Sequence, residues 1–427
     1  MADSEPPLLN DVQEIKTPLD VALERLDYFL TSLGFHQSSF KGFLLSWSAF
    51  AFFGVALPIA VNSLSGCGSS DGGGCTAYRV PRFEMYVLAS ETSLAAASLA
   101  CVSQNLRKHG IRRFLFVDRF HGRALRFRKE YVDKIQAFFF LLICWMLPLL
   151  LAKAVRDVIL FVHIKHGPLW ESIALVFASV LSWVYLNAVF LSTCLLFNLV
   201  CNLQVVHFVD YAKLFEREAD VSMLLEEHQR LRYNLSKISH RFRVCLLLIF
   251  LLVSASECVT LIQTTGYPGI TNFINAGDFA IAAVVQVIGT IHCLHSAAKI
   301  SHRAQGIASF ASTWHAAAAC ASSGSSQPHS INCSENLDAA TEDSTSLYLS
   351  ESDLESLDVS VQTNSQLISC MSSYNKRQAL VLYLQSNVGG ITMFGWTMDR
   401  AFINTIFFIE LSLVTFVLGK TIVFSSK

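Results

Sequence analysis

Residues Asn105 to Lys134 read Asn-Leu-Arg-Lys-His-Gly-Ile-Arg-Arg-Phe-Leu-Phe-Val-Asp-Arg-Phe-His-Gly-Arg-Ala-Leu-Arg-Phe-Arg-Lys-Glu-Tyr-Val-Asp-Lys. This stretch holds ten of the chain's 32 lysines and arginines, and long apolar runs flank it on both sides. Basic residues in short connections stay on the cytoplasmic side when a chain inserts into a bilayer. The stretch therefore sets the direction of every apolar segment around it.

Working outward, seven apolar segments are long enough to be read as membrane spans: 42–64, 85–102, 135–151, 169–200, 244–264, 279–297 and the last apolar part of 391–424. With the N-terminus inside, 24 Lys and Arg lie on the cytoplasmic side and 5 in the outer loops, of which Lys153, Arg156 and Lys165 fall in a short outer loop expected over 153–168. That asymmetry predicts an all-α polytopic protein with its N-terminus in the cytoplasm and its C-terminus outside. Composition agrees, since 52% of the residues are hydrophobic and only 15% charged, against roughly 25% charged in soluble domains. The basic stretch is explained by topology, so no nucleic-acid partner is expected; the partner is the lipid bilayer. The plasma membrane is the default address, although an internal membrane leaves the same charge pattern.

The start, Met-Ala-Asp-Ser-Glu-Pro-Pro, lacks the pattern of a cleavable leader, so the first span is expected to act as its own insertion signal. Residues 1–16 read as a disordered tail. Thr17-Pro18-Leu19-Asp20 has the spacing of a capped helix start. Leucines at 19, 23, 26, 30 and 33 then predict an amphipathic helix over 17–34, lying on the membrane face or packed on the bundle. Its polar side is poor in Lys and Arg, which favours packing on the bundle. Pro58 predicts a kink in the first span. Cys67 and Cys75 bracket a Gly/Ser loop and would pair in an oxidising outer compartment, or stay as two thiols elsewhere.

The fourth span continues into helix-forming residues through Met223–Leu231, predicting a helix that projects into the cytoplasm, a turn and a helix that returns into the fifth span. Residues 42–320 thus carry six spans with their extensions. Residues 321–373 are rich in Ser, Asn, Asp and Glu and read as a disordered cytoplasmic loop, a passive linker or a substrate for phosphorylation. Residues 378–424 form a two-part final helix.

Enzyme chemistry finds no support. No phosphate loop, His-Glu-x-x-His or Gly-x-Ser-x-Gly occurs, and no cofactor is expected. His292, His295 and His302 approach metal-ligand spacing, but no helix-borne acid completes a site, and no metal is expected. The acids within spans carry more interest, because a carboxylate there faces a water-filled cavity or a partner. Glu91 and Glu257, with the aromatic Trp183 and Tyr185, are candidates for an outward-facing pocket for a small molecule. Glu410 interrupts the last span. It either faces a pore or pairs with a polar residue inside the chain's own bundle.

Seven spans, a cytoplasmic N-terminus, the amphipathic helix at 18–33, the extended fourth span and the two-part last segment resemble the insect odorant and gustatory receptor superfamily. They resemble more closely its plant gustatory-receptor-like relatives, long catalogued as a domain of unknown function. The resemblance implies a homotetramer whose extensions (207–243, the start of 297–320, and 378–385) pack into a central anchor, with a cation pore lined by the helix at 402–423. The insect signature in that helix is Thr-Tyr, five hydrophobics, then Gln-Phe; here Thr405 is kept and Glu410 breaks the run. The resemblance makes Glu410, Asn404, Thr405, Phe407 and Asp399 the pore-lining candidates. At 100° per residue, Phe407 shares a side with Glu410, while Thr405 lies about 140° away. The implied function is a ligand-gated cation channel; the alternative is a non-conducting receptor or scaffold that recruits partners through its cytoplasmic helices and Ser-rich loop.

Overall fold

The computed structural model describes residues 17–37, 39–65, 81–116, 127–163, 169–217, 220–266, 273–323, 373–398 and 400–422. Within them run α1 (Pro18–Ser32), α2 (Phe40–Phe50), a π-helical turn (Ala51–Ala56), α3 (Leu57–Ser65), α4 (Pro81–Phe114), α5 (Arg128–His163), α6 (Leu169–Glu216), α7 (Val221–Gly266), α8 (Phe273–Ser323), α9 (Ser373–Ser386), β1 (Thr392–Met393), β2 (Trp396–Thr397) and α10 (Arg400–Ile422). The protein is a multi-pass membrane protein built from helices. Six of them are long and apolar enough to cross a bilayer: Phe40–Leu64, Glu84–Phe114, Arg128–Leu160, Trp170–Glu216, Val221–Gln263 and Gly277–Ala318. In α10 the apolar part among the described residues, Ile403–Phe416, is shorter.

Helix α1 begins as its sequence spacing requires. The Thr17 hydroxyl accepts from the Asp20 amide at 3.3 Å, and the Asp20 carboxylate accepts from the Thr17 amide at 3.2 Å. Its leucine face is buried against α5 and α4, with Phe29 edge-on to Phe138 and Phe139. Of the two positions open to this helix, it takes the one on the bundle.

The first span shows how Pro58 is accommodated. Proline has no N–H to give the Gly54 carbonyl four residues back. The chain widens there into the π turn, in which Leu57 donates to Phe52 in place of Phe53. Both released carbonyls find side chains of neighbouring helices. Ser182 donates to the Phe53 oxygen at 2.7 Å, and Thr92 donates to the Gly54 oxygen at 3.2 Å. In a bilayer, where no water can replace these bonds, this capture stitches the first span to α4 and α6.

Helices α6 and α8 form the centre of the bundle and pack along one another. Gly289 permits the approach, since a Cβ there would lie 2.6 Å from the buried Phe190 ring. Helices α6, α7 and α8 all outrun a bilayer. At 1.5 Å per residue the 48 residues of α6 extend about 72 Å, against a hydrocarbon core of about 30 Å. Their overhangs gather at the end that carries the basic residues, where α9 lies against α8 and α7. There Phe215 meets Phe310 and Trp314, and His228 lies between Tyr211 and Tyr383.

Two expectations change. The segment after residue 152 is not an outer loop at first: α5 continues through His163, because Val155, Val158 and Leu160 keep the apolar helix going around Lys153 and Arg156. The region following Gly390 is not helical throughout. A two-stranded ribbon pairs Thr392 with Thr397 and Met393 with Trp396, with left-handed Phe394 and Gly395 at its turn. Two serines of the long helices hold it: Ser301 accepts from the Ile391 amide at 3.2 Å and Ser239 from the Thr392 amide at 3.1 Å. Cys67, Cys75 and most of 321–373 lie outside the described residues, as does Asp399.

Candidate functional site

At the end of the bundle opposite the basic residues, α3, α4, α5, α6 and α8 surround a cavity of about 90 Å³. A single water needs about 10–15 Å³, so the space takes a few waters or the head of a small polar molecule. Two side chains expected at a pocket meet on its wall. The Trp183 indole donates to Glu91 at 3.1 Å, and the Asn187 amide donates to the same oxygen at 3.3 Å. The other two do not join them. Tyr185 packs on Phe50 and Phe53. Glu257 sits on α7, beside Glu410.

The cavity has a charged wall that the sequence reading placed in an outer loop or did not single out. Lys153 of α5 reaches Asp278 of α8 at 2.6 Å and Asp157 at 3.3 Å. Arg156 reaches Asp278 at 2.7 Å, Glu84 of α4 at 2.9 Å and Asp157 at 3.1 Å. Ser179 of α6 completes the set by donating to Asp157 at 2.8 Å. One sequence signal was available: Lys153 and Asp157 stand four apart in an apolar run that never breaks helical periodicity. Asp278 gave no such signal, because only the tertiary fold brings it to α5.

Three carboxylates (Glu84, Asp157 and Asp278) thus face two cations, Lys153 and Arg156, and Glu91 adds a fourth acid nearby. The wall is saturated with ion pairs yet biased towards negative charge. Such a surface favours a ligand with a cationic or hydrogen-bond-donating head, and Trp183 offers an aromatic face beside it.

The last helix presents two unlike faces. Glu410 is 3% exposed and accepts from Ser254 of α7 at 2.6 Å. Of the two placements open to it, it occupies the one inside the bundle. Phe407 is half-buried against the core on the same side. Asn404, Thr405, Ser412 and Thr415 share the outward face and are exposed. Thr405, Ser412 and Thr415 each bond the carbonyl four residues back, at 2.9, 2.6 and 2.7 Å. A shallow groove of about 660 Å³ runs along this face between Leu261 of α7 and Phe408, Ile409 and Phe416.

A family described as "Protein of unknown function (DUF3537)" matches residues 21–409. The chain belongs to this family. The match begins inside α1 and ends inside α10, so the DUF3537 region takes in the cavity, its charged wall and the ribbon that leads into the last helix. No curated protein matches the chain.

Proposed function

We propose that the protein is one subunit of an oligomeric, ligand-responsive cation channel of the gustatory-receptor-like kind, with α10 as a seventh span and the N-terminus in the cytoplasm. One observation carries the reading: the outward face of α10 bears Asn404, Thr405, Ser412 and Thr415, which are exposed among the described residues. Polar side chains on a membrane helix turn towards protein or water in preference to lipid. A face shared among subunits around a pore satisfies that preference. The charge asymmetry of 24 to 5 Lys and Arg supports the orientation. Exposed Met223, Phe310, Tyr374 and Leu382 on the overhanging helices supply apolar surface for subunit contacts in a central anchor. The cavity beside Glu91 and Trp183 opens at the opposite end and would receive a small polar or cationic molecule from outside the cell.

The placement of Glu410 favours a second reading. Turned into its own subunit, it leaves the outward face of α10 from Asn404 to Thr415 without a charge, which suits a non-conducting receptor or scaffold.

Recording from purified, oligomeric protein in planar bilayers separates the two, with Asn404→Asp as the probe. A ring of new carboxylates on the pore wall changes unitary cation conductance severalfold. Currents unaltered by Asn404→Asp place the pore elsewhere, and silence from intact oligomers exposed to a panel of small amines favours the scaffold.

A further inference from the structure

Away from the cavity, α7 and α10 share a pair of buried acids that neither the ion cluster nor the outward face of α10 uses. Glu257 is 1% exposed, and among the described residues neither of its carboxylate oxygens has a hydrogen-bond partner. Glu410 accepts from Ser254 through one oxygen, while its other oxygen is buried and has no hydrogen-bond partner among the described residues. Ser254 and Glu257 stand one turn apart on the same side of α7, so the Glu410 carboxylate that Ser254 holds lies beside Glu257. Among the described residues no Lys, Arg or His acts on either one.

The surroundings offer no compensation. From α8, Ala283 and Val287 pack against Val414, one turn beyond Glu410. The acid of α8 in this half of the helix, Asp278, is held by Lys153 and Arg156. His292 further along lies edge-on to Trp145. On α7 the remaining nearby polar groups are Thr260 and the exposed Cys258. An ionised carboxylate without a partner in an apolar interior is strongly unfavourable, and two of one sign at close range are worse. The pair therefore needs positive charge that the described residues do not supply.

We propose that Glu257 and Glu410 form a buried site for one monovalent cation, a proton or an alkali ion, that bridges α7 to α10. The donor set consists only of oxygens: two from Glu257, one from Glu410, and the Ser254 hydroxyl already bound to Glu410. Such a set binds hard cations. It falls short of the six to eight oxygens that calcium takes. Filled, the site removes the repulsion between α7 and α10 and holds Glu410 inward. Emptied, it drives the two helices apart. The site goes beyond channel activity, and neither readout below depends on conduction.

Two measurements on full-length protein in nanodiscs test it. Infrared spectroscopy over a pH series reads the protonated carboxyl band, and thermal unfolding reads stabilisation by sodium against choline at fixed ionic strength. A shared proton gives, in the difference between the wild type and the double variant Glu257→Gln/Glu410→Gln, one protonated carboxyl per chain that persists above the ordinary carboxylate range, with no sodium effect. An alkali ion gives a saturable rise in Tm of several degrees with sodium and no such band. In either case the signal disappears in the isosteric double variant Glu257→Gln/Glu410→Gln, and the single variants give the assignment should the double variant not accumulate. Wild-type protein that shows neither signal, two independently titrating carboxyls, or a signal retained in the double variant overturns the proposal.

Discussion

Arg156 on α5 reaches Asp278 on α8 at 2.7 Å while only 2% of its side chain is exposed. The same guanidinium also binds Glu84 on α4, so one side chain fastens three helices at the end of the bundle remote from the basic residues. Burying charges is unfavourable on its own, and only the completeness of the set makes it tolerable. The cluster is better viewed as a device that fixes how α4, α5 and α8 meet around the cavity than as a source of net stability.

Removing one partner should therefore be far worse than its share of the attraction suggests. Arg156→Met is expected to destabilise the protein by about 3–5 kcal/mol, because part-buried Glu84 then loses its cation and buried Asp157 and Asp278 are left sharing Lys153 alone. Arg156→Lys should recover only part of this, since a single ammonium cannot replace a planar fork bound to three carboxylates. Thermal unfolding of the two variants in one detergent gives the comparison, and equal melting points for Lys and Arg would refute the fork argument.

Glycine substitutions in α8 should separate by position. At Gly289 a new Cβ would press on the Phe190 ring at 2.6 Å and Cys194 at 3.1 Å, both buried. Gly289→Ala should then destabilise by about 1–3 kcal/mol through overpacking of α8 on α6. At Gly306 nothing lies within 4 Å, and Gly306→Ala should stabilise the helix by up to about 1 kcal/mol. Melting points moving in opposite directions would verify the pair.

The ribbon before α10 depends on two hydroxyls. Ser239→Ala and Ser301→Ala each leave a backbone amide, Thr392 or Ile391, without its acceptor. The expected loss is about 1 kcal/mol each. Amide exchange at 391–398 should accelerate in either variant while α6 and α8 remain protected. Exchange that rises equally throughout the chain would mean that the serines support the whole bundle and not the ribbon.

Acid should loosen α1 before the rest. Hydrogen bonding from Thr17, helped by Arg112 at 2.7 Å, holds the Asp20 carboxyl below the usual carboxylate range. A carboxylate depressed in the folded state contributes stability that is complete above its unfolded value, about 3.9. That contribution is lost as pH falls through the lower folded value. Amide protection in α1, corrected for the intrinsic pH dependence of exchange, should thus fall as the pH drops below about 4 in the wild type. Asp20→Asn should show the lower protection already at neutral pH and little further change on acidification.

The sequence alone determined the class of the protein. Ten basic residues between two apolar runs, and bilayer-length segments on either side, require a multi-pass helical membrane protein, because both features arise from each segment's own contact with water or lipid. Local rules also reach α1: Thr17, Pro18 and Asp20 define its start within three residues of one another. The long overhangs of α6 and α7 were legible for the same reason, since helix-forming residues simply continue past the apolar stretch.

Only the tertiary structure decided what the charged residues do. Lys153 and Arg156 carry the appearance of a loop between spans until Glu84 and Asp278, 72 and 122 positions from Arg156, come to meet them. Glu410 looks alike in a pore and in a core, and its direction was settled by Ser254 on another helix. Glu91 and Trp183 proved to be partners, whereas Glu257 and Tyr185 went to other neighbours. A buried charge is tolerated only with partners, and in a bundle those partners come from helices far apart in sequence, which no local pattern encodes.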